Sequence, residues 1–201
     1  YIAAISEAVT EMGLVVHRLQ IERGQTAGFL GSGEKQMPSA VKTARKALDA
    51  ESVKFSEIPE MLAPFGSNAL LKQVTEIEKN LQRISQFRGR VERLEVNAGE
   101  ALKFYTSLIK PVLEAGFIAS KMTDKANFAM HIIAMTELSE VKEYAGLERG
   151  LGNALLNAGA MNAGQYAKIT DFVKRQTLMK INFLISVPED RKSTRLNSSH
   201  T

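Results

Sequence analysis

Glu22-Arg23-Gly24 and Glu148-Arg149-Gly150 repeat one short pattern at an offset of 126 residues. The positions that follow keep the same offset, Leu30 and Gly33 after the first copy and Leu156 and Gly159 after the second. The arginines carry the chemical potential. Arg23 shares a helix face with Val16, Leu19, Ala27 and Leu30, and Arg149 with Leu138, Ala145, Gly152 and Leu156, so each guanidinium is aimed along an apolar stripe. A buried guanidinium stays charged and needs an anionic or strongly accepting partner. Its planar fork matches a flat oxyanion bidentately. The surroundings are small: Gly24, Ala27 and Gly28 in the first copy, Ala145, Gly146, Gly150 and Gly152 in the second. A glycine inside a helix costs about 1 kcal/mol relative to alanine, so such a concentration asks for a reason. Two facing forks would take a small, planar, singly charged anion and, by bridging cations that otherwise repel, draw two long helices together. The competing reading is that each arginine pairs with a carboxylate, including Glu22 or Glu148 across the bundle, and that the glycines mark a tight helix crossing.

Secondary donors lie near this pattern. Thr26, one turn after Arg23, and the pair Tyr105 and Thr106 could donate to a bound anion, or could simply pack. Arg83, Arg88, Arg90 and Arg93 lie close to Glu92 and Glu95, a cluster that reads as a salt-bridged surface. Glu137, Glu140 and Glu143 recur every three residues and read as a solvated face, without the carboxylate–histidine arrangement of di-iron bundles. His17, His131 and His200 have no metal-ligand spacing, and His131, amid Met130, Ile132 and Ile133, reads as a core or boundary residue. No phosphate loop, nucleophile elbow or dinucleotide fingerprint is present. The expectation is therefore no catalytic residue, no metal site, no cofactor and no enzymatic activity.

The elements that must position these residues are helical nearly throughout. Apolar spacing predicts a first helix from Ile2 to about Leu30, stopped by Gly31-Ser-Gly33, and a second with Pro38 in its first turn. A loop is expected from Ile58 to Gly66, around Pro59, Pro64 and Gly66. One stripe from Leu70 to Leu94 predicts a third helix. Asn97 with Glu100 reads as a capping box opening a fourth, with Pro111 inside it as a predicted kink. Thr123 opens a long fifth helix to Ala158, closed by Gly159, and Asn162 with Gln165 caps a sixth. The fold class is all-α: an elongated antiparallel helical bundle of about six helices.

Composition agrees and narrows the function. The 201 residues are 44% hydrophobic and 24% charged, ordinary for a chain with a packed core. The absence of cysteine removes disulfides, thiolate metal sites and cysteine nucleophiles. Of the net charge of +4, the stretch from Asp190 onward supplies +2, leaving too weak a bias to imply direct contact with nucleic acid. Tyr1 opens the chain with an amphipathic pattern already running at Ile2, as in a segment cut from a longer protein. Residues 1–187 are expected to fold. Residues 188–201 read as a disordered, non-native tail, and Lys192 to His200 resembles translated sequencing-adapter read-through.

From Ile5 to Val187 the chain resembles the nitrate- and nitrite-sensing (NIT) domain family of bacterial signalling proteins. The signatures are Leu19-Gln-Ile-Glu-Arg-Gly-Gln-Thr-Ala-Gly-Phe-Leu30; Phe87-Arg-Gly-Arg-Val-Glu92 leading to Glu100-Ala-Leu-Lys-Phe-Tyr-Thr106; and Lys142-Glu-Tyr-Ala-Gly-Leu-Glu-Arg-Gly150 with Gly159, Tyr166 and Phe172. Gly150-Leu-Gly-Asn153 stands where relatives usually carry bulkier apolar residues. The resemblance implies an all-helical sensor of two bundles sharing long helices, binding nitrate or nitrite through Arg23 and Arg149. Arg88 matches the middle signature, with Arg90 as its rival. It further implies a homodimer covalently fused to an output domain (chemoreceptor, histidine kinase, cyclase or RNA-binding antiterminator). The setting it suggests is the periplasmic part of an inner-membrane receptor, with a cytoplasmic setting as the other option. A different class of function would be a helical dimerisation or signal-relay module that binds no small molecule.

Overall fold

The structure, a computed structural model, describes residues 1–66 and 69–187. The tail expected at 188–201 lies outside the described residues. Within them the chain forms only helices: α1 (Ile2–Ser32), α2 (Ser39–Phe55), the short α3 (Ile58–Leu62) running into a 3-10 turn (Ala63–Phe65), α4 (Ala69–Leu81), α5 (Arg83–Glu92), α6 (Ala98–Ser120), α7 (Ala126–Ala158) and α8 (Ala163–Ser186). The all-α expectation holds.

The helix ends follow local chemistry. α1 and α7 stop at Gly33 (φ 73°) and Gly159 (φ 67°), left-handed positions that glycine takes without steric cost. Asn97 with Glu100 and Asn162 with Gln165 form complete capping boxes at the starts of α6 and α8. α6 continues as helix through Pro111. Three sequence expectations need correction. Residues 58–65 are helical rather than a loop, because Pro59 sits at the start of a turn whose Ile58 and Leu62 are buried. The stripe from Leu70 to Leu94 is divided at Gln82 into α4 and α5. Thr123 does not cap α7. Its hydroxyl accepts from the Lys125 amide, and the helix begins after Lys125.

α1, α2, α4–α5 and α6 surround the main core, whose fully buried side chains include Ile5, Leu19, Leu48, Phe55, Leu70, Ile77 and Ile109. α7 lies against both α1 and α6 and also pairs with α8, so the long helices serve both groups. At about 1.5 Å per residue the 31-residue α1 and 33-residue α7 run close to 50 Å, which makes the assembly elongated. α8 has no buried residue and leaves Val173, Leu178, Ile181 and Leu184 exposed. Among the described residues no helix is long and apolar enough to cross a membrane.

α6 and α7 approach closely at Gly116, where a Cβ would overlap Thr136 Oγ1. That overlap exceeds what a packed interface absorbs without side-chain or backbone shifts. Gly116→Ala is expected to destabilise the fold by about 1–3 kcal/mol by urea denaturation. Adding Thr136→Ala removes the obstructing atoms. The double variant should then recover, helped by the helix propensity of alanine.

Candidate functional site

α1 turns three polar positions inward: Glu22, Arg23 and Thr26 are all buried. Such groups persist in a core only if partners satisfy them. Arg23, 2% exposed, donates through Nη1 to Glu143 Oε1 on α7 (2.5 Å) and to Thr106 Oγ1 on α6 (2.8 Å). The other Glu143 oxygen accepts from Gln20 Nε2 (3.1 Å). Arg23 Nη2 lies against Gly146, where a Cβ would stand 2.9 Å away. A side chain at 146 would therefore push the guanidinium aside.

Glu22 faces the other way. Its carboxylate accepts both Nε and Nη2 of Arg88 at 2.7 Å, a bidentate pair, and the Tyr105 hydroxyl at 2.7 Å. Arg88 also donates to Asp49 Oδ1 (2.6 Å) and to the Arg45 carbonyl oxygen (3.2 Å). Burial pulls the Arg88 guanidinium down, but Glu22 and then Asp49 outweigh it and hold it above its ordinary value. Burial, then the Glu22 charge, pushes the Tyr105 phenol well above its ordinary value, so it serves as a donor. The Thr26 hydroxyl is buried near this phenol without a hydrogen bond of good geometry. One polar layer therefore crosses the bundle from Glu143 on α7, through Arg23 and Glu22 on α1, to Arg88 on α5 and Asp49 on α2.

Arg149 is not part of that layer. It is exposed, makes no hydrogen bond or ion pair among the described residues, and lines an open groove of about 400 Å³ between α7 and α8 with Ala145, Glu148, Gly152, Asn153 and Ile169. Glu148 accepts from Gln176 of α8. The expected convergence of Arg23 and Arg149 on one space is not what the structure presents. Arg23, Tyr105, Thr106 and Arg88 gather in the buried layer with Thr26, while Arg149 faces α8. The rival Arg90 is half exposed, 3.8 Å from Glu100.

Two other readings change. Glu137 and Glu143 are buried rather than on a solvated face. Burial raises the carboxyl of Glu137, and burial followed by the Glu137 charge raises that of Glu140. His131 is exposed rather than in the core. Glu143, Gln20 and Asp49 are partners that sequence reasoning missed. The available signal for Glu143 was its place in the C-terminal signature, three residues before Gly146.

Helices of this length around a buried layer of alternating charge define an all-helical bundle domain with an internal ionic layer. The chain belongs to the nitrate and nitrite sensing (NIT) family, whose model matches residues 14–198. A nitrate regulatory protein of Klebsiella oxytoca is 26% identical over 142 residues, covering 71% of this chain and 36% of that protein. The structure of the NasR transcription antiterminator superposes with a TM-score of 0.89 at 22% identity, covering 96% of this chain and 52% of that one. The chain thus spans about half or less of the length of these relatives.

Proposed function

We infer that this chain is the sensing input domain of a bacterial regulatory protein, responding to nitrate or nitrite. The observation that carries the reading is Arg23: a buried guanidinium in a family signature, bonded through Nη1 alone, with Nη2 facing Gly146 one turn from Arg149. The guanidinium can donate two parallel N–H bonds to a planar oxyanion. Arg149, exposed and without a partner among the described residues, is a long flexible cation that can swing toward a charge held there. Thr106 is a neighbouring donor. Arg88, saturated by Glu22 and Asp49, serves the layer's integrity in this reading.

The fused output and homodimeric assembly belong to the same proposal. The relatives are described as a nitrate regulatory protein and a transcription antiterminator. These descriptions favour an output acting on gene expression, with nucleic acid contacted by that output, and a cytoplasmic setting over a periplasmic receptor. One observation favours the relay module without a ligand: Arg23 and Arg88 are each held by a carboxylate.

Calorimetric titration of the folded chain with nitrate, nitrite and chloride separates the two. Nitrate or nitrite should bind at millimolar concentration or below, and chloride should not. Arg149→Ala, at an exposed position, should change stability by no more than about 0.5 kcal/mol and yet abolish binding. A well-folded chain that stays silent to millimolar nitrate sinks the sensing reading and leaves the relay.

A further inference from the structure

We propose that Glu143 is a tethered competitor for the anion site: its carboxylate supplies the negative charge that Arg23 requires, and an incoming anion must replace it. The inference rests on the sensing reading above and adds the element that sets the threshold. Arg23 is 2% exposed and Glu143 5% exposed, so neither charge is relieved by water. Each depends on the other. Their bond uses Nη1 of the guanidinium and Oε1 of the carboxylate, the end-on contact of a single pair of atoms. The bidentate fit that a planar oxyanion makes with a guanidinium is left unused, in contrast to Glu22 and Arg88, where both carboxylate oxygens are engaged. Glu143 thus keeps Arg23 buried through one oxygen, and the two-point contact open to a planar oxyanion is the advantage an incoming anion has over it.

The tether has a second consequence. Glu143 holds α7 to α1 at two α1 positions one turn apart, Gln20 and Arg23, while Lys142 contacts His17 a further turn earlier. Replacing Glu143 at Arg23 unties the two longest helices at one level. Anion binding is thereby converted into a change at the α1–α7 seam without an added moving part. The tethered carboxylate also lowers the apparent affinity by the fraction of time Arg23 is free of it. The sensor would then answer to abundant anion and ignore traces.

The test is calorimetric titration of nitrate into the wild-type chain and Glu143→Gln, with thermal denaturation of both. Glutamine keeps the shape and removes the charge, so nitrate should bind at least about tenfold more tightly. Nitrate should also raise the melting temperature of the variant by more than it raises that of the wild type. Tighter binding in the variant, including binding seen in the variant alone, supports the competitor. Wild-type binding with equal or weaker binding in the variant overturns it and leaves nitrate sensing intact. Silence in both folded proteins overturns both. If Glu143→Gln does not fold by circular dichroism, Glu143→Asp draws the carboxylate back by one methylene and is judged by the same comparison.

Discussion

Arg88→Met is expected to cost about 3–5 kcal/mol of folding stability, read as a fall in the urea midpoint with an unchanged slope. The magnitude follows from what the substitution strands. Glu22 is fully buried, and both of its oxygens are held by Arg88 at 2.7 Å. Methionine fills much of the arginine volume, so cavity formation is the smaller part of the loss. The larger part is a carboxylate left in the core with only the Tyr105 hydroxyl to satisfy it. Adding Glu22→Gln removes that charge and should recover much of the loss. Asp49 is mostly exposed, so its own bond to Arg88 contributes at the level of a surface ion pair. The same variant decides between two roles for Arg88. Loss of nitrate binding with stability intact would return Arg88 to the ligand set. Loss of stability with binding intact, measured where the protein is folded, makes it a structural member of the layer.

The contrast between Arg88 and Arg149 shows which information a linear pattern carries. Helix ends were legible because their chemistry is local: Gly33 and Gly159 need only their own backbone, and each capping box closes within three residues. The division at Gln82 was not, because the apolar stripe runs on through Ile84, Phe87 and Val91, all buried on the same side as the α4 stripe. The site was legible by half. The spacing of Arg23 against Leu19 and Ala27 correctly indicated an inward-facing guanidinium. The same argument for Arg149 failed because α7 has neighbours on two sides. Arg149 follows Glu143 by six residues, about 120° around the helix from the direction that meets Arg23. Its apolar companions Gly152 and Leu156 line the α8 groove instead. That face is left largely open, with Ala145, Arg149 and Leu156 exposed, so an apolar stripe does not by itself report a covered face. Glu143 was hidden for the converse reason. Its i, i+3 series with Glu137 and Glu140 looks like a hydrated edge until the α1–α7 pairing across 120 residues is known.

A double-mutant cycle on that pairing carries the other large expected effect. Arg23→Met alone leaves Glu143 buried and unneutralised. Glu143→Met alone leaves Arg23 in the same position. Each should lose about 3–5 kcal/mol. Arg23→Met with Glu143→Met leaves no charge to be compensated, and an unbranched apolar pair adapts to an irregular gap. Replacing a buried ion pair by apolar residues of similar size is commonly neutral or better, so the double variant should lie within about 1–2 kcal/mol of the wild type. The coupling energy, measured from urea midpoints, would then exceed either single loss. Strict additivity would mean that the two side chains do not depend on each other, and the layer would need another account. Strong coupling with a stable double variant would mean that the pair adds little to folding that methionine cannot supply. Its retention at the α1–α7 seam would then rest on the anion chemistry of the guanidinium, and the stable double variant, unable to answer nitrate, would separate folding from sensing in a single molecule.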